Sequence, residues 1–405
     1  MQQITAQATA PGRAGRPRGR WIWRLSGTAV VLMGTALIGI TAGTAGTHDG
    51  DGYQQTALPS RTVVINGPVS SLDIHSYGAP IQVSSGSVNQ VTVAETISYN
   101  GLAGPREVTA KADGGDLTLA APACQNNGCS VGFAVIVPAS FPAVTVSASS
   151  DGGPVRVSGV AAAEINSSSG PVTASGVQGL LTVTSEGGDI TASGAGSATL
   201  DSGSGRVSAS AIPGPLDITS EGGRIDVHDT GAATLNSGSG PVSASAVLGQ
   251  LAVNSSGGSI NVTGLRGGAT LDSGSGDVVA RSVGGALSAN TSGGKLQVDG
   301  LAGPLTADTG SGNVTASGVA SATARVSTSG GSAWLSFTRA PQSVQVTTGS
   351  GDAVLVLPGG PYAVTADSAS GPELVSVPVS PKAASTITVS TSGGELQVKP
   401  PAGGS

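Results

Sequence analysis

Five carboxylates, Glu186, Asp201, Glu221, Asp226 and Asp229, are the side chains of this chain best suited by type to hydrolytic chemistry. Polysaccharide hydrolases and lyases need paired carboxylates at a fixed separation, often a basic residue or calcium beside them, and aromatic platforms for the sugar rings. Glu186 and Glu221 are 35 residues apart. A repeat of that length returns a glutamate to one face without any catalytic purpose. Between Phe141 and Trp334 there is no aromatic residue to hold a sugar. No catalytic residues, cofactor or metal ligands are therefore assigned, and the chain is expected not to be an enzyme.

The remaining reactive types are sparse. The three histidines are His48, in a polar linker, His75, after Asp73-Ile74, and His228, before Asp229. All three read as outward surface residues. Serines are abundant, yet none sits in a Gly-x-Ser-x-Gly nucleophile elbow. Nonapeptide calcium rolls need a carboxylate in every glycine turn. Here the residue after each glycine pair runs Asp189, Arg206, Arg224, Pro241, Ser259, Asp277, Lys295, Asn313, and the cations in that column repel calcium. Only Cys124 and Cys129 occur, in Cys-Gln-Asn-Asn-Gly-Cys. In an exported domain the pair reads as a disulfide closing a tight loop over Asn127-Gly128. The rival readings are half a zinc site, which lacks a nearby histidine, and a redox pair, which lacks the Cys-x-x-Cys spacing.

The elements that would carry these residues form a repeat. From Ala163 onward apolar residues return every eight or nine positions in a fixed order: Ala198, Val207, Leu216, Ile225, then Ala233, Val242, Leu251, Ile260. A second apolar residue two positions later, as at Leu200, Ala209 and Ile218, lies on the same face of one short strand. A glycine corner recurs at Gly170, Gly188, Gly205, Gly223, Gly240, Gly258, Gly276, Gly294 and Gly312, every 17 or 18 residues. The four-step order itself repeats every 35 or 36 residues. We read one coil as 17–18 residues, with a single 35-residue coil as the alternative. The fold class is all-β: a single-stranded parallel β-helix or solenoid, right-handed by the general rule for parallel crossovers. Leu251 is expected inside and Ala252 outside. Trp334, Phe337 and Tyr362 are expected to cover the last coils, because an open solenoid end must be blunted.

The N-terminus reads separately. Residues 1–24 carry Arg13, Arg16, Arg18, Arg20 and Arg24 and no acid. Leu25 to Ala45 then runs 21 residues without a charge, about 30 Å as a helix and enough to cross one hydrocarbon core. Trp21 and Trp23 sit at the expected interface, and the arginines favour the cytoplasm. A cleaved signal peptide is the rival reading, since small residues at Ala42, Gly43, Ala45 and Gly46 permit cleavage. The net charge is −6, and the five arginines leave −11 on the rest. No basic cluster follows Arg24, which excludes nucleic acid as a partner.

Several segments match a known pattern. These are Val135-Ile136-Val137-Pro138, Ser149-Ser150-Asp151-Gly152-Gly153-Pro154-Val155, Ser237-Gly238-Ser239-Gly240-Pro241-Val242, Ser255-Ser256-Gly257-Gly258-Ser259-Ile260 and Ser273-Gly274-Ser275-Gly276-Asp277-Val278. From about Val63 to Val398 the chain resembles a bacterial family of adhesin-like domains of unknown function with β-solenoid architecture. The resemblance implies a cell-surface protein, and equally an accessory or sensor module of an envelope-stress system. It supplies no catalytic residues.

The organisation expected is thus a disordered basic cytoplasmic tail (1–24), a transmembrane signal-anchor helix (25–45), a linker (46–60), an irregular N-terminal β region (61–140) and a regular solenoid with a C-terminal cap (141–405). The expected protein is a single-pass cell-membrane protein with the solenoid extracytoplasmic, or a secreted one if the N-terminal segment is cleaved. It would act as a non-enzymatic adhesin-like surface or envelope scaffold. Its partners would be the membrane, through the N-terminal helix, and a cell-surface, wall or envelope protein or glycan. A carbohydrate-active β-helix enzyme is the remaining alternative.

Overall fold

Alternation of apolar and polar residues becomes alternation of burial. Along Leu251–Ser255 positions 251, 253 and 255 are buried and 252 and 254 are not, and Leu216–Ser220 repeats the pattern. The computed structural model of the chain describes residues 2–7, 55–57, 60–100, 107–121, 129–141 and 143–402. It contains only strands and connections among the described residues. No helix there is long and apolar enough to cross a membrane, and the expected anchor from Leu25 to Ala45 lies outside the described residues. The chain divides into two compact units, Met1–Asp189 and Ile190–Ser405.

In the second unit each coil gives one strand to each of two parallel sheets. On the first sheet Ala198 lies opposite Leu216, Leu216 opposite Ala233, and Ala233 opposite Leu251. On the second, Val207 lies opposite Ile225, and Ile225 opposite Val242. Partners on neighbouring rungs are therefore 17 or 18 residues apart, so the short coil is the observed one and the 35-residue coil is excluded. The longer period has its own cause. A lean coil with Ala198 and Ala209 is followed by a bulky one with Leu216 and Val227, and small and large residues alternate along these two ladders, Ala198–Leu216–Ala233–Leu251 and Ala209–Val227–Ala244. On those two ladders a large side chain has small neighbours above and below, which fills a narrow interior without overpacking.

The corners divide into two kinds. Where Ser255-Ser256-Gly257-Gly258 turns, a Cβ on Gly258 would stand 2.0 Å from the Gly240 carbonyl oxygen of the preceding coil. Gly223, Gly240, Gly276, Gly294 and Gly312 meet their own neighbours in the same way, at 1.7–2.2 Å. None of these has a positive φ. The glycine there is needed for close approach alone. The left-handed conformation belongs to the other corner, at Gly194, Ala211, Asp229, Ala246, Gly264, Ser282, Gly300 and Gly318, with φ from 53° to 75°. Close approach and a positive φ, both of which glycine can supply, are thus required at different corners.

The serine before the glycine corner is buried and, at seven corners, closes the turn. Ser202, Ser220, Ser237 and Ser255 donate to the carbonyls of Gly205, Gly223, Gly240 and Gly258 at 2.6–3.2 Å. In the first unit Ser150, Ser167 and Ser185 do the same at 2.8–3.0 Å.

Each unit has an end where chain order and spatial order differ. In the second, Thr386–Thr391 lies between Ser343–Thr348 and Ala363–Ser368, so the last coil in sequence is slotted inside the penultimate one. A terminal strand paired on both edges cannot fray as an edge strand would. In the first unit Ser71–Ser76 likewise lies between Asp116–Ala120 and Thr145–Ser150. Here antiparallel strands complete the end: Val91–Asn100 pairs with Arg61–Ile65 and with Cys129–Pro138. The irregularity expected over 61–140 is this antiparallel closure. The tail expected to be disordered over 1–24 contains one short strand, Gln2–Gln7, antiparallel to Glu107–Asp113. Residues 8–24 lie outside the described residues.

Candidate functional site

The outward residue just before each corner serine defines one row on the first sheet of the second unit. Thr219, Asn236, Asn254, Asp272 and Asn290 stand directly above one another on five successive strands. Beside them the corners Ser220-Glu221, Ser237-Gly238, Ser255-Ser256 and Ser273-Gly274 complete a shallow groove of about 660 Å³. Asn254 Nδ2 donates to Asn236 Oδ1 at 3.1 Å. Ser273 Oγ is buried and has no hydrogen-bond partner. Its natural acceptor, the Gly276 carbonyl, receives Thr291 Oγ1 at 3.2 Å instead.

The five sequence-nominated carboxylates are not brought together. In the first unit Glu186 is exposed at the corner after Leu180–Ser185. In the second, Glu221 borders the groove and Asp201 stands outward opposite Thr219. Asp226 lies on the other sheet, where Arg206 Nε and Arg224 Nε both donate to it at 2.8 Å. Burial, the largest single influence, would raise its pKa, but the hydrogen bonds and charges of the two arginines together hold it below the ordinary carboxylate value. Asp229 occupies a left-handed corner, with His228 Nδ1 at 3.3 Å. His75 Nε2 is 3.3 Å from Asp73. Both histidines stand at the surface in these pairs, and His48 lies outside the described residues. No group of three or more metal-ligating side chains occurs among the described residues.

The column after the glycine pair has a structural duty. Asp277 accepts from the backbone N–H of Lys295, Asn313 from Ser332 and Asp352 from Glu395, at 2.8–2.9 Å, and Ser332 Oγ accepts from Asp352 N–H at 3.0 Å. These corner N–H groups have no carbonyl opposite, and a short side chain on the coil before satisfies them. A carboxylate spent in this way is a backbone cap.

Cys129 is disulfide-bonded, and Cys124, its expected partner, lies outside the described residues. Of the three aromatics expected to cover the last coils, Phe337 and Tyr362 are buried, and Tyr362 donates its hydroxyl to the Pro358 carbonyl. Trp334 faces outward and is 38 % exposed. Its neighbours Ala333 and Leu335 take the inward positions, so strand parity turns the indole out. Sequence reasoning missed Glu95. It is 3 % exposed in the antiparallel end of the first unit, opposite Arg61. Burial raises its pKa and Arg61 partly opposes that. Its place two residues beyond Val93 was the available signal.

The Toastrack DUF4097 family, a domain of unknown function with a β-solenoid structure, matches residues 69–247, 213–338 and 248–399. The chain belongs to the Toastrack family. Overlapping matches are what a repeat produces, since a window can be placed on more than one set of coils. No curated protein and no solved structure matches the chain. The Toastrack assignment covers both units and fits the parallel coils and glycine corners described above. It brings no reaction and no ligand with it.

Proposed function

We propose that this Toastrack protein is a non-enzymatic, extracytoplasmic scaffold or binding protein of the cell envelope, adhesin-like in architecture and held at the membrane by residues 25–45. The observation that carries the reading is how the polar side chains are used. Inward positions build ladders, corner serines and the aspartates after the glycine pairs are bonded to backbone, and what remains outward is rows of short polar residues. Such a surface can bind in ranks and offers no converging acid and base. The five arginines before an uncharged 21-residue run support the anchored topology, and a disulfide at Cys129 suits an oxidising compartment.

The pairing of Gln2–Gln7 with Glu107–Asp113 and an anchored chain are mutually exclusive, because a bilayer would separate the two strands. Protease added to intact, wall-stripped cells tests this directly. Release of the solenoid with residues 1–24 protected supports the anchor. Protection of the solenoid refutes it, and a mature N-terminus near Thr47 replaces anchoring by secretion. Proximity labelling on intact cells then separates a surface scaffold from a module that works with envelope-stress proteins.

A further inference from the structure

We infer that the terminal coil of the second unit, Ala363–Ser368 with Glu373–Val375, is an end stop that keeps a second copy of the chain from stacking on the solenoid, and that Glu373 is the residue that closes it. Glu373 stands at the end of an apolar ladder. Val278, Leu296, Val314, Ala333, Ala353 and Leu396 lie opposite one another on successive strands of the second sheet, and each is at most 1 % exposed. The next residue on that inward ladder, opposite Leu396, is Glu373. A further coil laid over it would bury a charge among apolar side chains, at high cost. The carboxylate is already engaged: its Oε1 accepts the backbone N–H of Ser368 at 2.5 Å.

That hydrogen bond lies on the open side of the coil. Ala363 and Ala369 aim their N–H groups at the strand one rung in, at Ser385 O (2.8 Å) and Thr391 O (3.1 Å). Alternation along the strand turns the N–H groups of Val364, Ala366 and Ser368 the other way. Just before them Tyr362 is covered, its N–H donating to Pro378 O at 3.0 Å and its carbonyl accepting from Ser380 N–H at 2.9 Å. The open edge is thus plugged at one end by Pro378–Ser380 and at the other by Glu373. A short edge, a proline and an inward charge are each a known means of refusing another strand. There is something to refuse. Ile387 and Val389 are fully buried, whereas Val364 and Ala366 above them are only half-buried, and Val375 is 36 % exposed. The occupant excluded is a second copy, because this end offers one edge from each of two sheets. Another coil of the same cross-section matches both edges, while an extended peptide meets only one.

The experiment uses the full chain in detergent, with sedimentation velocity over a range of concentrations and hydrogen exchange to locate any contact. Glu373→Val continues the apolar ladder and frees the Ser368 N–H. It should self-associate with a dissociation constant at least about tenfold below the parent's, and Ala363–Ser368 and Glu373–Val375 should gain exchange protection as concentration rises. Asp367→Val removes the same charge from an outward position on the same coil and should associate as the parent does. Glu373→Val/Ala366→Pro should return to the parent's behaviour, because proline deletes an open-edge N–H without breaking a bond inside the chain. Glu373→Val associating no more tightly than the parent overturns the inference. So does equal association by Asp367→Val, association that survives Ala366→Pro, or protection gained away from the terminal coil. Lost protection in Thr386–Thr391 and Leu396–Lys399 of Glu373→Val would make Glu373 a stabilising residue of the coil and not a stop, and also overturns it. Residues 25–45 are common to every variant, so pairing through them cancels, and a failed topology experiment remains distinguishable from a failed association experiment.

Discussion

Three glycines within eight residues of one coil should respond differently to the same added methyl group. A Cβ on Gly257 meets nothing closer than Ser275 Oγ at 3.9 Å. A Cβ on Gly264 meets Ala246 N at 3.8 Å, but the backbone there has φ +69°. A Cβ on Gly258 would lie 2.0 Å from Gly240 O, 2.6 Å from Gly240 C and 3.0 Å from Ser239 O. Bringing the closest of these to an ordinary 3.4 Å requires more than an ångström of separation between rungs. The displaced segment is stitched on both sides by Gly257 N–Gly238 O at 3.0 Å, Val242 N–Ser259 O at 2.8 Å and Ile260 N–Asp277 O at 2.9 Å, and by Ser255 Oγ–Gly258 O at 3.0 Å. At about 1 kcal/mol for each bond lost, Gly258→Ala should cost about 4 kcal/mol.

Gly264→Ala should cost about 1 kcal/mol, the left-handed penalty less the entropy that alanine saves in the unfolded chain. Ala246 already sits in that conformation one coil earlier, at φ 53°, so the penalty is tolerable. Gly257→Ala should be within about 0.5 kcal/mol of the parent. Because each coil contacts chiefly its neighbours, the loss should be local. Hydrogen exchange along Leu251–Ser255 and Ile260–Leu265, with urea titrations of the full chain, reads both the size and the place of the effect. Equal destabilisation by Gly257→Ala and Gly258→Ala would refute the assignment of the second glycine to close approach.

Thr230 Oγ1 is buried without a partner in a ladder where Ile212 and Val247 flank it, so Thr230→Val should stabilise by about 1–2 kcal/mol, and a lower melting temperature would show that the hydroxyl has an acceptor. Glu95, whose carboxyl pKa burial raises above the ordinary 4.5, favours the folded end most when protonated. That contribution is complete below the unfolded value and is lost as pH rises through the folded one. Exchange protection of Arg61–Ile65 and Val91–Asn100 should therefore fall from pH 4.5 upward in the parent and stay flatter in Glu95→Gln; identical pH profiles would reject the burial argument. Asp352→Ala should cost about 0.5–1 kcal/mol by uncapping the Glu395 N–H, while Asp352→Asn should be nearly neutral; a large loss in both denaturation curves would mean that the carboxylate charge matters.

Coil length and strand parity were legible because they are local. Gly240, Gly258 and Gly276 recur at the spacing of one rung, and Leu251 and Val253 mark one inward face with Ala252 and Asn254 outside. The inverted order of the end coils was not legible. It joins Thr348 to Thr391, 43 residues away, across an insertion that breaks the period, and nothing short-range encodes that pairing. The capping role of Asp277 and Asp352 was hidden because their column also holds arginine, proline and lysine, which read as scatter. The groove was overlooked for a subtler reason. The outward residue between the paired apolar positions shows no order, as Ala252, Asn261 and Thr270 illustrate. The ordered row is two residues further on, at Asn254 and Asp272, where the strand enters its corner.

The alternation of corners leaves that row the part of the surface most open to substitution. Gly238, Gly274, Gly310 and Gly349 cannot carry a side chain, since a Cβ would stand 2.0–2.3 Å from the carbonyl oxygen of the coil before. Their counterparts on the intervening coils, Glu221, Ser256, Ser292 and Ser329, do carry one, and the glycine then moves one place along the corner. Only every second corner is thus free to vary, at a spacing of about 9.6 Å. The outward position before the corner serine is open on every coil, twice as densely, and it is fixed by the strand on one side and the serine–glycine bond on the other. Change in this solenoid is cheapest where it disturbs neither ladder nor corner, and these outward positions meet that condition while standing in exact register. A function acquired by substituting single residues would settle there first, as a row rather than a pocket.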